Sequence, residues 1–147
     1  MKNKSLMVAL TARALALALT AAPAFAGDPV AGENTFKKCK ACHSIIGPDG
    51  TVIQKGGMVG PNLYGLIGRQ IGTQPDFAAK YGPSILAAGS DGTLWDETIL
   101  AAYLMDPATW LQEKTGDAAS KSKMSFKLAK GGEDVAAYLA SVVPPAP

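Results

Sequence analysis

Two cysteines and the only histidine of the chain stand together in the segment Cys39-Lys40-Ala41-Cys42-His43. A C-x-x-C-H segment is typical of covalent haem attachment. In a helical turn, positions i, i+3 and i+4 lie on one face. Both sulfurs could therefore bond the vinyl groups of a haem while the imidazole of His43 points at the iron. The spacing predicts one covalently bound haem c per chain, with His43 as an axial ligand.

Three other interpretations use the same residues. A dithiol redox motif shares the C-x-x-C spacing, but no βαβ pattern accompanies it and the histidine is left unexplained. Structural zinc needs four ligands, whereas the chain has 2 cysteines and 1 histidine. A disulfide between cysteines this close would stabilise the fold little, because the benefit grows with loop length. Covalent haem accounts for all three residues.

The sixth ligand of the iron cannot be a second histidine of this chain, and methionine is then the leading choice. A lone methionine more often fills a core than binds a metal, so each candidate needs its own argument. Met105 falls on a predicted helix among apolar neighbours, where packing accounts for it. Met58 follows His43 on a short tether, whereas Met124 lies 81 residues further on, where the chain can reach the opposite face. We expect Met124 to be the ligand.

The first 26 residues have the pattern of a secretory signal peptide. Lys2, Lys4 and Arg13 flank an apolar stretch that is continuous over residues 14–22, and Ala24-Phe25-Ala26 resembles a cleavage site. A membrane anchor is the alternative, but the run is shorter than the ~20 apolar residues that a membrane-spanning helix needs. The sequence therefore predicts export to the periplasm and one domain over residues 27–147.

Charge is distributed unevenly along this domain. The formal charge of +2 belongs to the whole chain, and without residues 1–26 there remain 11 basic and 12 acidic residues. Among the charged residues of the stretch 76–117, acidic ones predominate, whereas lysines flank the haem motif and the Met124 segment. This layout suits electrostatic steering toward an acidic partner, although single lysines of this kind are often no more than solvated surface. A nucleic-acid partner is not favoured, since no basic stretch is interleaved with aromatic residues. The lysines concerned are Lys37, Lys38, Lys40, Lys55, Lys121, Lys123, Lys127 and Lys130.

Helical signals dominate the domain, and no alternating strand pattern competes with them, so we expect an all-α fold. Residues 45–60 are rich in glycine and are predicted to form a loop, and residues 111–122 support no assignment. Gly32 interrupts the first helix, and such a glycine usually has a packing reason. Helices are predicted from Asp28-Pro29 through Phe36 into the haem motif, over residues 84–88, from Trp95 to Met105, from Pro107 to Trp110 and from Gly131 to Val143.

The chain resembles the class I c-type cytochromes, and most of all the cytochrome c2 group of alphaproteobacteria. The similarity covers nearly all of residues 27–147, and it is the order and spacing of the motifs that specify the family. It implies few helices and long loops wrapped around one covalent haem. The residues that carry it are Gly32, Phe36, Cys39-Lys40-Ala41-Cys42-His43, Gly60-Pro61-Asn62-Leu63-Tyr64-Gly65, Arg69, Trp95, Tyr103-Leu104, Pro107, Lys123-Met124-Ser125-Phe126 and Glu133-Asp134-Val135-Ala136-Ala137-Tyr138-Leu139.

The resemblance also implies roles for residues around the haem. It implies that the Pro61 carbonyl accepts the ring N–H of His43, an outer contact that fixes the tautomer of a ligand. It further implies that Tyr103 reaches the sulfur of Met124, and that haem propionates meet three side chains, namely Arg69, Tyr81 and Trp95. A close crossing of the first and last helices is expected, with Gly32 and Phe36 against Tyr138 and Leu139.

The function that the resemblance implies is one-electron transfer rather than enzymatic chemistry. A monomeric periplasmic carrier would take electrons from a quinol-oxidising complex of the bc1 type. It would pass them to a photosynthetic reaction centre or a terminal oxidase. Two alternatives remain open: a five-coordinate haem protein that binds gas or reduces peroxide, and a dedicated donor to one periplasmic reductase. One departure is that Met58-Val59 stands where relatives commonly carry lysine before Gly-Pro. We therefore expect the docking surface of lysines to be weaker on that side.

Overall fold

The computed structural model describes residues 27–143, so the predicted signal peptide lies outside the described residues. Five α-helices account for most of the regular structure: α1 (Pro29–Phe36), α2 (Pro83–Ala88), α3 (Glu97–Met105), α4 (Pro107–Thr115) and α5 (Gly132–Ser141). A 3-10 helix covers Pro75–Lys80, and two short strands, β1 (Ile45–Ile46) and β2 (Val52–Gln54), form an antiparallel pair. The fold is thus helix-rich with long loops, as expected. Within residues 27–143, no helix is long and apolar enough to cross a membrane.

Local capping explains where the helices begin. The side chain of Asp28 accepts the N–H of Val30, and proline stands at the first position of α1. Asp96 accepts the N–H of Ile99 at the start of α3, which places Trp95 just before the helix rather than inside it. The predicted helix after Pro107 continues to Thr115, where Gly116 ends it in a left-handed conformation.

The core lies where α1 and α3 pack against α5. Gly32 faces α5 so closely that a Cβ atom there would lie 2.8 Å from Cβ of Tyr138 and overlap the backbone of Asp134. The rings of Phe36 and Tyr138 have centroids 5.6 Å apart. The close crossing of the first and last helices is therefore confirmed, and it explains the glycine inside α1. The buried residues of the core cluster are Phe36, Ile45, Leu66, Ile71, Ala88, Trp95, Leu100, Leu104, Leu111, Leu128, Val135, Ala136, Tyr138 and Leu139.

The structure differs from the sequence prediction in residues 45–60, which contain the hairpin β1–β2. Its turn is held by the N–H of Gly47, which donates to the carbonyl of Thr51 at 2.8 Å, and by Asp49, whose side chain accepts from the N–H of Thr51. Gly50 adopts a positive φ of 83° in this turn. Strands of two and three residues are too short to show alternation. The turn signal was visible in the sequence, but the pairing was not.

Candidate haem-attachment site

The haem motif forms a turn directly after α1. The N–H groups of Cys42 and His43 both donate to the carbonyl of Cys39, at 3.1 and 2.9 Å. Cys39 is half-buried, Cys42 is exposed, and the two sulfurs are not joined to each other. Burial raises the pKa of the Cys39 thiol, Cys42 adds to this effect, and Lys38 opposes it. The turn thus carries two uncrosslinked cysteine side chains and the histidine within five residues.

The imidazole of His43 is oriented by a backbone carbonyl from the following loop. Its Nδ1 atom lies 2.8 Å from the carbonyl oxygen of Pro61. A carbonyl can only accept, so Nδ1 carries a proton, and in the neutral imidazole Nε2 then keeps its lone pair. Burial lowers the pKa of His43, an effect that the Pro61 carbonyl partly opposes. The result is a neutral imidazole that offers Nε2 as a metal ligand.

Glycines allow the loop to lie against the motif. The N–H of Gly57 donates to the carbonyl of Lys40 at 2.9 Å, and that of Gly60 donates to the carbonyl of Cys42 at 2.8 Å. A Cβ atom on Gly60 would lie 2.7 Å from each ring nitrogen of His43. Gly60 therefore helps to define the position of the imidazole, a role that the sequence analysis missed. Its only sequence signal was a glycine directly before the proline.

Met124 lies half-buried in the loop between α4 and α5, packed against the core. Its N–H donates to Oγ of Ser122 at 3.0 Å. Oγ of Ser122 also lies 3.4 Å from the hydroxyl oxygen of Tyr103. In the described part of the chain, the hydroxyl of Tyr103 thus meets Ser122, and its contact with the Met124 sulfur stays a prediction. Ser122 was not singled out by the sequence, because a serine in a polar loop gives no specific signal.

The other two candidate methionines are exposed. Met58 is 78% exposed in the loop before Pro61, and Met105 is 59% exposed at the end of α3. The expectation that packing accounts for Met105 is therefore wrong. On α3 the core-facing side carries Leu100 and Leu104, and Met105 points away from it.

Arg69 and Trp95 are brought together by backbone pairing. The N–H of Trp95 donates to the carbonyl of Arg69 at 2.8 Å. The guanidinium of Arg69 donates to the carbonyls of Asn62 and Tyr64. Burial lowers the pKa of Arg69, while the neighbouring Tyr81 hydroxyl raises it. The structure thus brings Arg69 close to both Trp95 and Tyr81, and these are the three residues predicted to meet haem propionates.

Tyr81 and Tyr103 are held by aromatic packing. Tyr81 packs edge-on against Phe77 at 5.1 Å, and its hydroxyl oxygen accepts the N–H of Gln74 at 3.3 Å. Tyr103 packs edge-on against Trp95 at 5.2 Å and against Trp110 at 5.5 Å. Burial raises the pKa of both tyrosines, so both hydroxyls stay protonated at neutral pH and can donate.

Three of the predicted docking lysines have partners within the chain. Nζ of Lys37 donates to Oδ1 of Asn34 at 2.9 Å, and Nζ of Lys123 donates to the carbonyl of Lys80 at 2.8 Å. Nζ of Lys127 lies 2.6 Å from Oδ2 of Asp106. The contacts of Lys123 and Lys127 could not be predicted from the sequence, because their partners lie 43 and 21 residues away.

The chemistry of this donor set fits a covalently attached haem. Two cysteine sulfurs are available for thioether bonds, and a neutral imidazole with an uncommitted Nε2 stands one residue beyond them. A half-buried methionine on a separate loop offers a thioether. Such a His and Met pair is one of the known axial sets of c-type haem.

Comparison with known proteins agrees with this site. No protein-family model matches the chain. Cytochrome c2 of Rhodobacter capsulatus is 58% identical over 136 residues, which cover 92% of this chain and 98% of the relative. Cytochrome c-550 of Paracoccus versutus is 51% identical over 138 residues, which cover 92% of this chain and 88% of the relative.

Solved structures show the same fold. The structure of cytochrome c2 from Rhodobacter capsulatus matches with a TM-score of 0.76 and 59% identity, and the match covers 79% of this chain and 98% of that chain. Ferric cytochrome c-550 from Paracoccus versutus matches with a TM-score of 0.75 and 51% identity, covering 78% and 97%. The chain therefore belongs to the cytochrome c2 family of class I c-type cytochromes, electron-transfer proteins, rather than enzymes, that carry covalent haem c.

Proposed function

We propose that this chain is a periplasmic one-electron carrier between membrane complexes. It would accept electrons from a quinol-oxidising complex of the bc1 type and deliver them to a photosynthetic reaction centre or a terminal oxidase. The observation that carries the proposal is the imidazole of His43, which lies in the same turn as Cys39 and Cys42 and whose Nδ1 is 2.8 Å from the carbonyl oxygen of Pro61. The membership of the cytochrome c2 family supports it.

Each functional side chain has a defined task in this proposal. Cys39 and Cys42 form the thioethers that retain the haem, and His43 and Met124 are its axial ligands. When bound, the haem supplies the one-electron couple of ferric and ferrous iron. With His43 and Met124 both holding the iron, no position would be left for a substrate or a gas. This argues for outer-sphere electron transfer over bond chemistry.

Residues around the ligands would shift the reduction potential of the haem, and the potential in turn influences the direction of electron flow. A neutral thioether ligand favours the ferrous form relative to stronger donors. Apolar neighbours such as Leu66, Trp95 and Leu104 are buried, and a low-dielectric environment disfavours the additional positive charge of the ferric form. For a one-electron couple, about 59 mV corresponds to a tenfold change in the equilibrium. Arg69, Tyr81 and Trp95 are proposed to hold the propionates.

Export is the second part of the proposal. Residues 1–26 carry a basic start, an apolar stretch and an Ala-x-Ala site, which together are typical of a secretory signal peptide. Cytochrome c2 homologues are typically periplasmic, which supports the same location. The remaining residues 27–147 would be the working cytochrome domain.

Loss of the methionine ligand tests the site. Methionine ligation gives the ferric protein a far-red charge-transfer band, and we expect Met124→Ala to abolish it. Met105→Ala, which removes an exposed methionine, is the matched control and should keep the band. Retention of the band in Met124→Ala would overturn the assignment of Met124 as the ligand. Ready binding of carbon monoxide by the reduced wild-type protein would instead favour a five-coordinate haem protein.

Docking is proposed to use the lysines around the haem motif and the Met124 segment. Lys38 and Lys121 are exposed lysines of this surface. Met58 and Val59, in the loop before Pro61, are exposed as well but apolar. Association with an acidic partner should slow as the ionic strength rises, because salt screens exposed charges. Lys38→Met should weaken this salt dependence. Lys114→Met, which removes an equal charge from the acidic part of the chain, is the control, and an equal effect of both would count against a localised docking surface.

A further inference from the structure

Asp106 stands at the junction of α3 and α4 and uses its two carboxylate oxygens for different tasks. Oδ1 accepts the N–H of Thr109 at 3.2 Å and so caps the start of α4. Oδ2 accepts from Nζ of Lys127 at 2.6 Å. The first contact is local, whereas the second joins the helix junction to the loop that carries Met124.

Lys127 lies between Met124 and the end of its loop. Met124 is three residues earlier. The next residue, Leu128, is buried, and its N–H donates to the carbonyl of Leu104 at 2.8 Å. The loop thus comes back to the end of α3 at Leu128. The ion pair is formed by Lys127, the residue just before it. An outward movement of Met124 that pivots at Leu128 has to carry the Lys127 backbone with it, away from Asp106.

We propose that the Lys127–Asp106 ion pair is a positioning contact that holds the Met124 segment against the junction of α3 and α4 and opposes the departure of Met124 from the haem iron. The inference rests on the proposed ligand role of Met124. It also reassigns Lys127, which the sequence analysis counted among the docking lysines, to an internal task.

The size of the effect follows from the exposure of the pair. The side chains of Lys127 and Asp106 are 58% and 32% exposed, so water screens their attraction. Exposed pairs of this kind change an equilibrium by about two- to fivefold. Opening of a loop is governed by its own contacts more than by the stability of the whole domain. Loss of the pair should therefore be easier to detect in the opening of the Met124 loop than in the stability of the whole domain.

The chain contains a matched ion pair away from the Met124 loop. Asp91 accepts the N–H of Thr93 at 2.9 Å through Oδ1, and accepts from Nζ of Lys114 at 2.8 Å through Oδ2. Both aspartates therefore combine one local backbone contact with one lysine partner. Asp91→Asn and Lys114→Met make the same chemical changes as Asp106→Asn and Lys127→Met. If the loss of any surface ion pair had the same effect, the two sets of variants would show the same change in loop opening.

The variant Asp106→Asn isolates the ion pair from the helix cap. Asparagine keeps an Oδ1 that can accept from Thr109, but it replaces Oδ2 by an amide that cannot accept from lysine. Binding of imidazole to the ferric holoprotein requires the axial methionine to leave and is followed by loss of the far-red band. We expect Asp106→Asn and Lys127→Met to bind imidazole about two- to fivefold faster than the wild type, and Asp91→Asn and Lys114→Met to match the wild type.

Hydrogen exchange at the amide of Met124 provides a readout independent of the ligand assignment. It should accelerate by a similar factor in Asp106→Asn and Lys127→Met only. If these variants match the Asp91 and Lys114 controls in both measurements, the positioning role is overturned while the ligand assignment stands. If Met124→Ala binds imidazole no faster than the wild type, the ligand assignment itself fails, and the positioning inference fails with it.

Discussion

Nδ1 of His43 lies 2.8 Å from the carbonyl oxygen of Pro61. The two residues are 18 positions apart, and glycines between them let the loop turn back onto the motif. This contact selects the tautomer in which Nε2 is unprotonated, and burial keeps the imidazole neutral by lowering its pKa. The backbone contact therefore fixes the tautomer and the orientation of the ring that would bind the iron.

A methyl group at Gly60 should disturb this arrangement. In Gly60→Ala, the new Cβ would lie 2.7 Å from both ring nitrogens of His43, so the ring or the loop must move. Overpacking of this kind costs about 1–3 kcal/mol of stability. We expect a lower free energy of unfolding, measured with urea, and an altered ferric spectrum.

Gly82→Ala is the control for this substitution, because its Cβ would lie 3.5 Å from side-chain carbons of Lys123, an ordinary contact. It should leave both the stability and the spectrum close to those of the wild type. A Gly60→Ala protein that behaves like Gly82→Ala would show that the loop absorbs the methyl group without moving His43.

The crossing of α1 and α5 should tolerate no side chain at Gly32. Alanine would favour the helix by about 1 kcal/mol through propensity alone. The added Cβ, however, would lie 2.8 Å from Cβ of Tyr138 and overlap the Asp134 backbone. We expect the steric effect to win and Gly32→Ala to lose about 2 kcal/mol or more in urea unfolding. Val30→Ala, at an exposed position of the same helix, should change stability much less, and an increase in the stability of Gly32→Ala would contradict the close crossing.

Acid should weaken the contact between Asp91 and Lys114. Hydrogen bonds from Lys114 and Thr93 hold the pKa of Asp91 well below its ordinary value of 3.8. As the pH falls, the unfolded chain takes up this proton first, so the stabilisation is complete above the ordinary value and is lost progressively below it. Asp91→Asn should therefore be less stable than the wild type at pH 7, and the difference should shrink below about pH 4. Urea unfolding at several pH values measures this, and a difference that stays constant into the acid range would contradict it.

Several features could be predicted from the sequence because they depend on neighbours along the chain. The C-x-x-C-H turn needs only five residues, and the start of α1 depends on Asp28, whose side chain accepts the N–H two positions on. Even the close helix crossing was indicated by a glycine at a helical position. Short-range geometry of this kind is encoded locally.

The sequence by itself thus determined the haem motif, its histidine and most of the helices. Only the tertiary structure decided that Ser122 is the partner of Tyr103, that Gly60 contacts the imidazole, that Met105 points outward and that Lys127 pairs with Asp106. The reason is physical: these contacts join residues 17 to 21 positions apart, or depend on which face of a helix meets the core. The path of the loops between elements decides them, and local propensities do not define that path.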